Sequence, residues 1–94
     1  MKLDNKTHVV VYDLMECYKA VTAERVRNSL LVAMNQVLAA ALDPEVHYRH
    51  TGVKIDGPNL QMFMFPNDDE DAPAEMVHTI DMQTGAYTTT GSPK

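Results

Sequence analysis

Tryptophan is absent from this sequence, cysteine occurs once, and glycine four times, never two together. Each scarcity excludes something. Cys17 has no partner for an internal disulfide, and a lone thiol suits a reducing compartment. Gly52, Gly57, Gly85 and Gly91 stand apart, so they spell neither a GxGxxG turn nor a phosphate-binding loop. No run approaches the ~20 apolar residues of a membrane span. Lys2-Leu3-Asp4 is not followed by an apolar stretch of signal-peptide length. No CxxC, HExxH or spaced Cys/His set provides zinc ligands. Basic residues are few and scattered (Arg25, Arg27, Arg49, Lys54), whereas a nucleic-acid reader needs a basic stripe. These features lead us to expect a soluble cytoplasmic chain with no cofactor, no metal, no membrane association and no direct nucleic-acid binding.

The 94 residues suffice for one domain, residues 1–94, and a second core would not fit. Residues 1–6 and 91–94 are expected to fray.

The net charge of −5 is unevenly placed. Met1–Ile55 carries seven bases and six acids, a net of +1, whereas residues 56–74 carry five acids and no base. Four of those acids, Asp68, Asp69, Glu70 and Asp71, are consecutive. Such a segment repels nucleic-acid backbones and attracts basic surfaces or cations.

Residues 23–42 form the clearest element. Val26, Leu30, Met34, Val37, Leu38 and Ala41 recur at helical spacing on one face. Thr22 is the expected N-cap, and Asp43-Pro44 ends the helix. Residues 7–21 admit two readings. Val10, Val11, Leu14, Cys17, Tyr18 and Val21 share one side of a helix, while the β-branched run Val9–Val11 suits a strand. On the strand reading, residues 7–12 are extended and Asp13 and Glu16 form a capping box. The apolar faces of the two segments are out of phase, which predicts a break near Thr22 and two helices rather than one.

Beyond Pro44 the period moves towards two. Val46 and Tyr48, then Val53 and Ile55, alternate with polar neighbours, and Asp56-Gly57-Pro58 is a turn. Residues 59–65, NLQMFMF, are apolar on both sides: Leu60, Met62 and Met64 on one, Phe63 and Phe65 on the other. Residues 75–82 place Met76, His78, Ile80 and Met82 on one face. Asp81–Gly85 reads as a turn closed by a glycine bulge, making a hairpin with residues 86–90. The expected fold is α+β, with one or two N-terminal helices packed on a three- to four-stranded antiparallel sheet.

Candidate chemistry is sparse. His47 and His50 would share a helix face but point apart on a strand, and a strand is expected there. Asn67, Asp69 and Asp71 match the first ligands of an EF-hand loop. Ala72 replaces its turn glycine and His78 its closing glutamate, so a solvated acidic segment is the better reading. Cys17 lies beside Leu14 and Val21, where a buried, inert thiol is usual. Ser29 falls mid-helix. Tyr48, Phe63, Phe65 and Tyr87 could form a stacking platform for bases, against which the net charge weighs.

The leading expectation is a non-enzymatic protein-interaction module, dimeric, acting stoichiometrically as an inhibitor or regulator of a partner with a basic surface, such as nucleic-acid-handling machinery. The link to that machinery is an analogy of class. Asp68, Asp69, Glu70 and Asp71 would meet the partner. Met62, Phe63, Met64 and Phe65 would form the oligomer interface, because one set of this strand lacks helix cover. One alternative is a small ligand-binding domain or enzyme using His47, His50 or His78 with Asp56 or Asp81. Another is a structural subunit of a larger assembly.

Overall fold

A computed structural model describes residues 1–42, 50–65 and 73–91, His50 by its backbone. Two helices, α1 (Asn5–Ala20) and α2 (Glu24–Leu42), precede strands β1 (His50–Asp56), β2 (Asn59–Phe65), β3 (Met76–Asp81) and β4 (Tyr87–Gly91). The strands form one antiparallel sheet in chain order. The fold is the expected α+β arrangement, with both helices on one face of a four-stranded sheet.

Helix α1 settles the ambiguity over residues 7–12. Asp4 caps it, accepting a hydrogen bond from the Thr7 amide at 3.2 Å. The valine run lies inside the helix, and Asp13 and Glu16 are mid-helix rather than a capping box. Valine loses only a few tenths of a kcal/mol per residue to alanine in a helix. Burying Val11 and Met15 completely or nearly so outweighs that preference, each being worth about 1.5–3 kcal/mol. The helix ends at Val21, whose backbone is extended and whose N–H donates to the Cys17 carbonyl.

The expected break follows directly. Helix α2 opens with the Arg27 amide donating to the Ala23 carbonyl at 3.0 Å. Ala23, not Thr22, therefore occupies the N-cap, where alanine offers no side-chain acceptor. Ala23→Ser should stabilise the protein by about 0.5–1 kcal/mol, raising the thermal midpoint by roughly 4–8 °C per kcal/mol. An unchanged midpoint in thermal unfolding followed by circular dichroism would place the helix start elsewhere.

Both helices bury a face rotated from the expected one. Val11, Met15, Met34 and Leu38 are buried, with Leu14, Tyr18, Leu31 and Val37 partly so. Val10 and Val26, expected inside, are 45% and 46% exposed. Cys17, expected as a buried thiol, is exposed. The physical reason is that each helix packs against the other as well as against the sheet. Positions between those two contacts gain cover at the expense of positions on the outer flank. Arg27 marks the helix–helix seam, its guanidinium carbon lying 4.2 Å above the Tyr18 ring.

In the sheet, alternation holds. Leu60, Met62 and Met64 of β2 and Met76, His78 and Ile80 of β3 are buried beneath the helices. Among the described residues, six of the eleven buried hydrophobics are methionines; these unbranched, adaptable side chains fill the irregular space between helices and sheet. Two turns set the register of the β1–β2 and β3–β4 pairs. Gly57, at φ +60°, takes the first central position of the two-residue turn between Asp56 and Asn59, a conformation that suits glycine. The second is the expected glycine-closed turn: the Gly85 amide donates to the Asp81 carbonyl at 2.7 Å, with Gly85 at φ +80°.

The N-terminal segment is joined to the sheet: Leu3 donates to the Gly85 carbonyl at 2.8 Å, Tyr87 donates to the Met1 carbonyl at 2.8 Å, and Lys2 bridges to Ala86. Leu3 is buried, and Asn5 and Lys6 already belong to α1. One apolar side chain in the core and a row of strand-like hydrogen bonds hold this end against β4. Gly91 completes β4. The expected strand around Val46 and Tyr48, and residues 92–94, lie outside the described residues.

Candidate functional site: the uncovered face of the sheet

Register fixes what lies on the side of the sheet away from the helices. One row runs Gly52, Phe63, Val77, Thr90 across the strands. The next runs Lys54, Gln61, Thr79, Thr88. A third holds Asp56, Asn59 and Asp81. Among the described residues, no helix lies over this face, because α1 and α2 both contribute to the core on the other side. Phe63, Val77, Gln61 and Thr79 are half-buried, and Lys54, Thr88 and Thr90 are exposed. Phe63 and Phe65 stack with ring centroids 6.5 Å apart, and Phe65 is engaged further within the chain. A Cβ built on Gly52 would meet nothing within 4 Å, so a depression lies beside Phe63 at the edge of the row.

The expected interface residues therefore divide. Phe63 and Phe65 belong to the uncovered face, whereas Met62 and Met64 are fully buried beneath the helices. A strand has two sides, and the helices cover one of them. Val77, Gln61 and the threonines belong with the phenylalanines, although the sequence reading did not group them. Their alternation with the buried residues of β2, β3 and β4 was the available signal.

The histidines are not brought together. His78 is 5% exposed on the helix side, its Nδ1 2.7 Å from Thr89 Oγ1 and its ring edge-on to Tyr87 at 5.7 Å. The backbone position of His50 pairs with Phe65, while His78 pairs with Met62, so the two belong to opposite alternation sets. Asp81 has the opposite parity to His78 on the same strand. The arrangement therefore does not assemble His78 with Asp81 as an acid–base pair. His47 and the acidic run Asp68, Asp69, Glu70 and Asp71 lie outside the described residues. Tyr87 sits on the helix side with His78, so it does not join Phe63 and Phe65 in a stacking platform. Ser29 is a helix residue whose hydroxyl donates back to the Arg25 carbonyl at 3.1 Å.

A further histidine, His8, has a structural role. His8 Nε2 lies 2.7 Å from the Met82 carbonyl, and a carbonyl only accepts, so Nε2 carries the proton. This bond ties α1 to the β3–β4 turn. The neighbouring hollow, lined by His8, Val9, Tyr12, Asp13 and Gln83, opens to solvent beside it.

The uncovered face can supply aromatic and β-branched contact area, a set of hydroxyls, and one cation at its flank. Among the described residues, no group of three or more His, Cys, Asp or Glu side chains is placed to hold a metal ion, and no helix is long and apolar enough to cross a membrane. No protein-family model, curated protein or solved structure matches this chain.

Proposed function

We propose that this protein is a small non-enzymatic interaction module that self-associates through the uncovered sheet face and binds a partner with a basic surface through Asp68, Asp69, Glu70 and Asp71. The observation supporting this reading is a half-buried aromatic and β-branched row, Phe63 with Val77, at the centre of a sheet side that neither helix covers. Phe63 and Val77 form a small apolar centre rimmed by polar side chains, and apolar groups so placed are where interaction sites form. The acidic run belongs to the connection between β2 and β3, the two central strands. It thus follows Phe65 closely in the chain. Nucleic-acid-handling machinery is a fitting class of partner, because its grooves are basic. Stoichiometric occupation of such a groove would inhibit or regulate it. The single exposed thiol of Cys17 is compatible with work in the cytoplasm.

The test is affinity capture from the source cells with wild-type protein and with the combined variant Asp68→Asn, Asp69→Asn, Glu70→Gln, Asp71→Asn. Exposed ion pairs contribute about 0.2–1 kcal/mol each. The four changes together should weaken binding to the captured partner by about 1–4 kcal/mol, and added salt should weaken the wild-type complex. Equal binding by both proteins at every salt concentration would rule out the acidic segment as the contact.

A further inference from the structure

The uncovered face is not level. Its β1–β2 half carries the long side chains Lys54, Gln61 and Phe63, and its β3–β4 half the shorter Val77, Thr79, Thr88 and Thr90. Gly52, at the outer edge of the high half, is the exception and leaves open space. A two-fold axis running along the strands between β2 and β3 would turn this relief onto itself. Phe63 then lies over Val77 of a second copy, Gln61 over Thr79, Lys54 over Thr88, and the Gly52 depression receives Thr90. Within these two rows every long residue meets a short one, which is how facing layers interdigitate to interior density. A two-fold across the strands does the opposite: it stacks the high half on the high half and leaves a gap above β3 and β4.

We propose that a second copy of this chain packs on the uncovered face about the two-fold parallel to the strands, forming a four-layer helix–sheet–sheet–helix dimer. The proposal rests on the self-association reading given above and adds its geometry. Four strands ~4.8 Å apart and about six residues long at ~3.3 Å give roughly 400 Å² in projection per copy, about 800 Å² for the two. Corrugation raises the accessible area beyond the projection, and specific interfaces begin at ~1,200 Å² in total.

Association of two copies has an electrostatic consequence. Each copy carries a net charge of −5, so the two repel, and salt screens that repulsion with a Debye length of about 8 Å at physiological ionic strength. Dimerisation should therefore strengthen with salt.

The geometry is tested by cross-linking in a Cys17→Ser background. Lys54 and Thr88 lie in one row on the two outer strands of the sheet, three strand spacings or about 14 Å apart within a chain. Across the proposed interface they face each other at the ~10 Å separation of packed sheets. The double variant Lys54→Cys, Thr88→Cys treated with a bismaleimide of about that reach should give covalent dimer at least tenfold more efficiently than either single variant. Phe63→Ser should abolish the dimer in sedimentation velocity while leaving circular dichroism unchanged. Dimer in sedimentation without the double-variant cross-link, or equal cross-linking by Lys54→Cys alone, overturns the axis but leaves self-association standing. A monomer at all concentrations and salts overturns both.

Discussion

Leu38→Ala is expected to cost about 2–5 kcal/mol, the range for removing a buried leucine side chain when the surroundings only partly close the space. Leu38 is fully buried on α2, in the cluster that joins the helices to Leu60, Met62 and Ile80. Small domains have only about 5–15 kcal/mol of stability in all. The variant should therefore unfold at a much lower urea concentration, with an unchanged slope if the denatured state is unaffected. Leu38→Met is the control. It conserves volume and should cost under about 1.5 kcal/mol, the more so in a core already built largely of methionine. A loss below about 1 kcal/mol for Leu38→Ala, outside the expected range, would show that α2 is not packed on the sheet as described.

The second large effect is expected at Gly85. Its φ of +80° lies where a side chain is strained, and a Cβ there would come within 3.1 Å of His8 Nδ1. Two costs add in Gly85→Ala. The backbone term is about 1–2 kcal/mol for an L-residue forced left-handed. The steric term displaces His8, whose Nε2–H donates to the Met82 carbonyl in a partly buried hydrogen bond, and such a bond contributes about 0.5–1.5 kcal/mol. A total of about 1.5–3.5 kcal/mol follows from these two ranges. The double variant His8→Ala, Gly85→Ala separates them, because with the imidazole gone only the backbone term remains for the second substitution. Strict additivity of the two single variants in urea denaturation would mean that His8 and Gly85 do not touch.

The fold was legible where local chemistry dictated it. Asp56-Gly57-Pro58 and Asp81–Gly85 contain residues selected by turn geometry, and they located the β1–β2 and β3–β4 hairpins with the register of each. The phase difference between the helical faces predicted the break at residues 21–23. What was hidden depends on where elements meet. Val10, Val26 and Cys17 look as apolar as Met15 and Leu31. Only the helix–helix contact decides which of them are covered. The burial of Leu3 could not be read locally either, because its hydrogen-bond partner, Gly85, is far along the chain. At the candidate site, the sequence identified the apolar residues on both sides of β2 without showing which side the helices take. The placement of Leu60, Met62 and Met64 under α1 and α2 leaves Phe63 as the outward residue.

Met1 ends beside Tyr87 and runs antiparallel to β4. Anything fused ahead of Met1 would continue along Thr88, Thr89 and Thr90, adding a fifth strand to that border of the sheet. A purification tag at this end would therefore be a structural ligand rather than a passive handle. It would sit next to Thr88 and Thr90 and confound any measurement of association, which makes cleavage back to Met1 a precondition for such work.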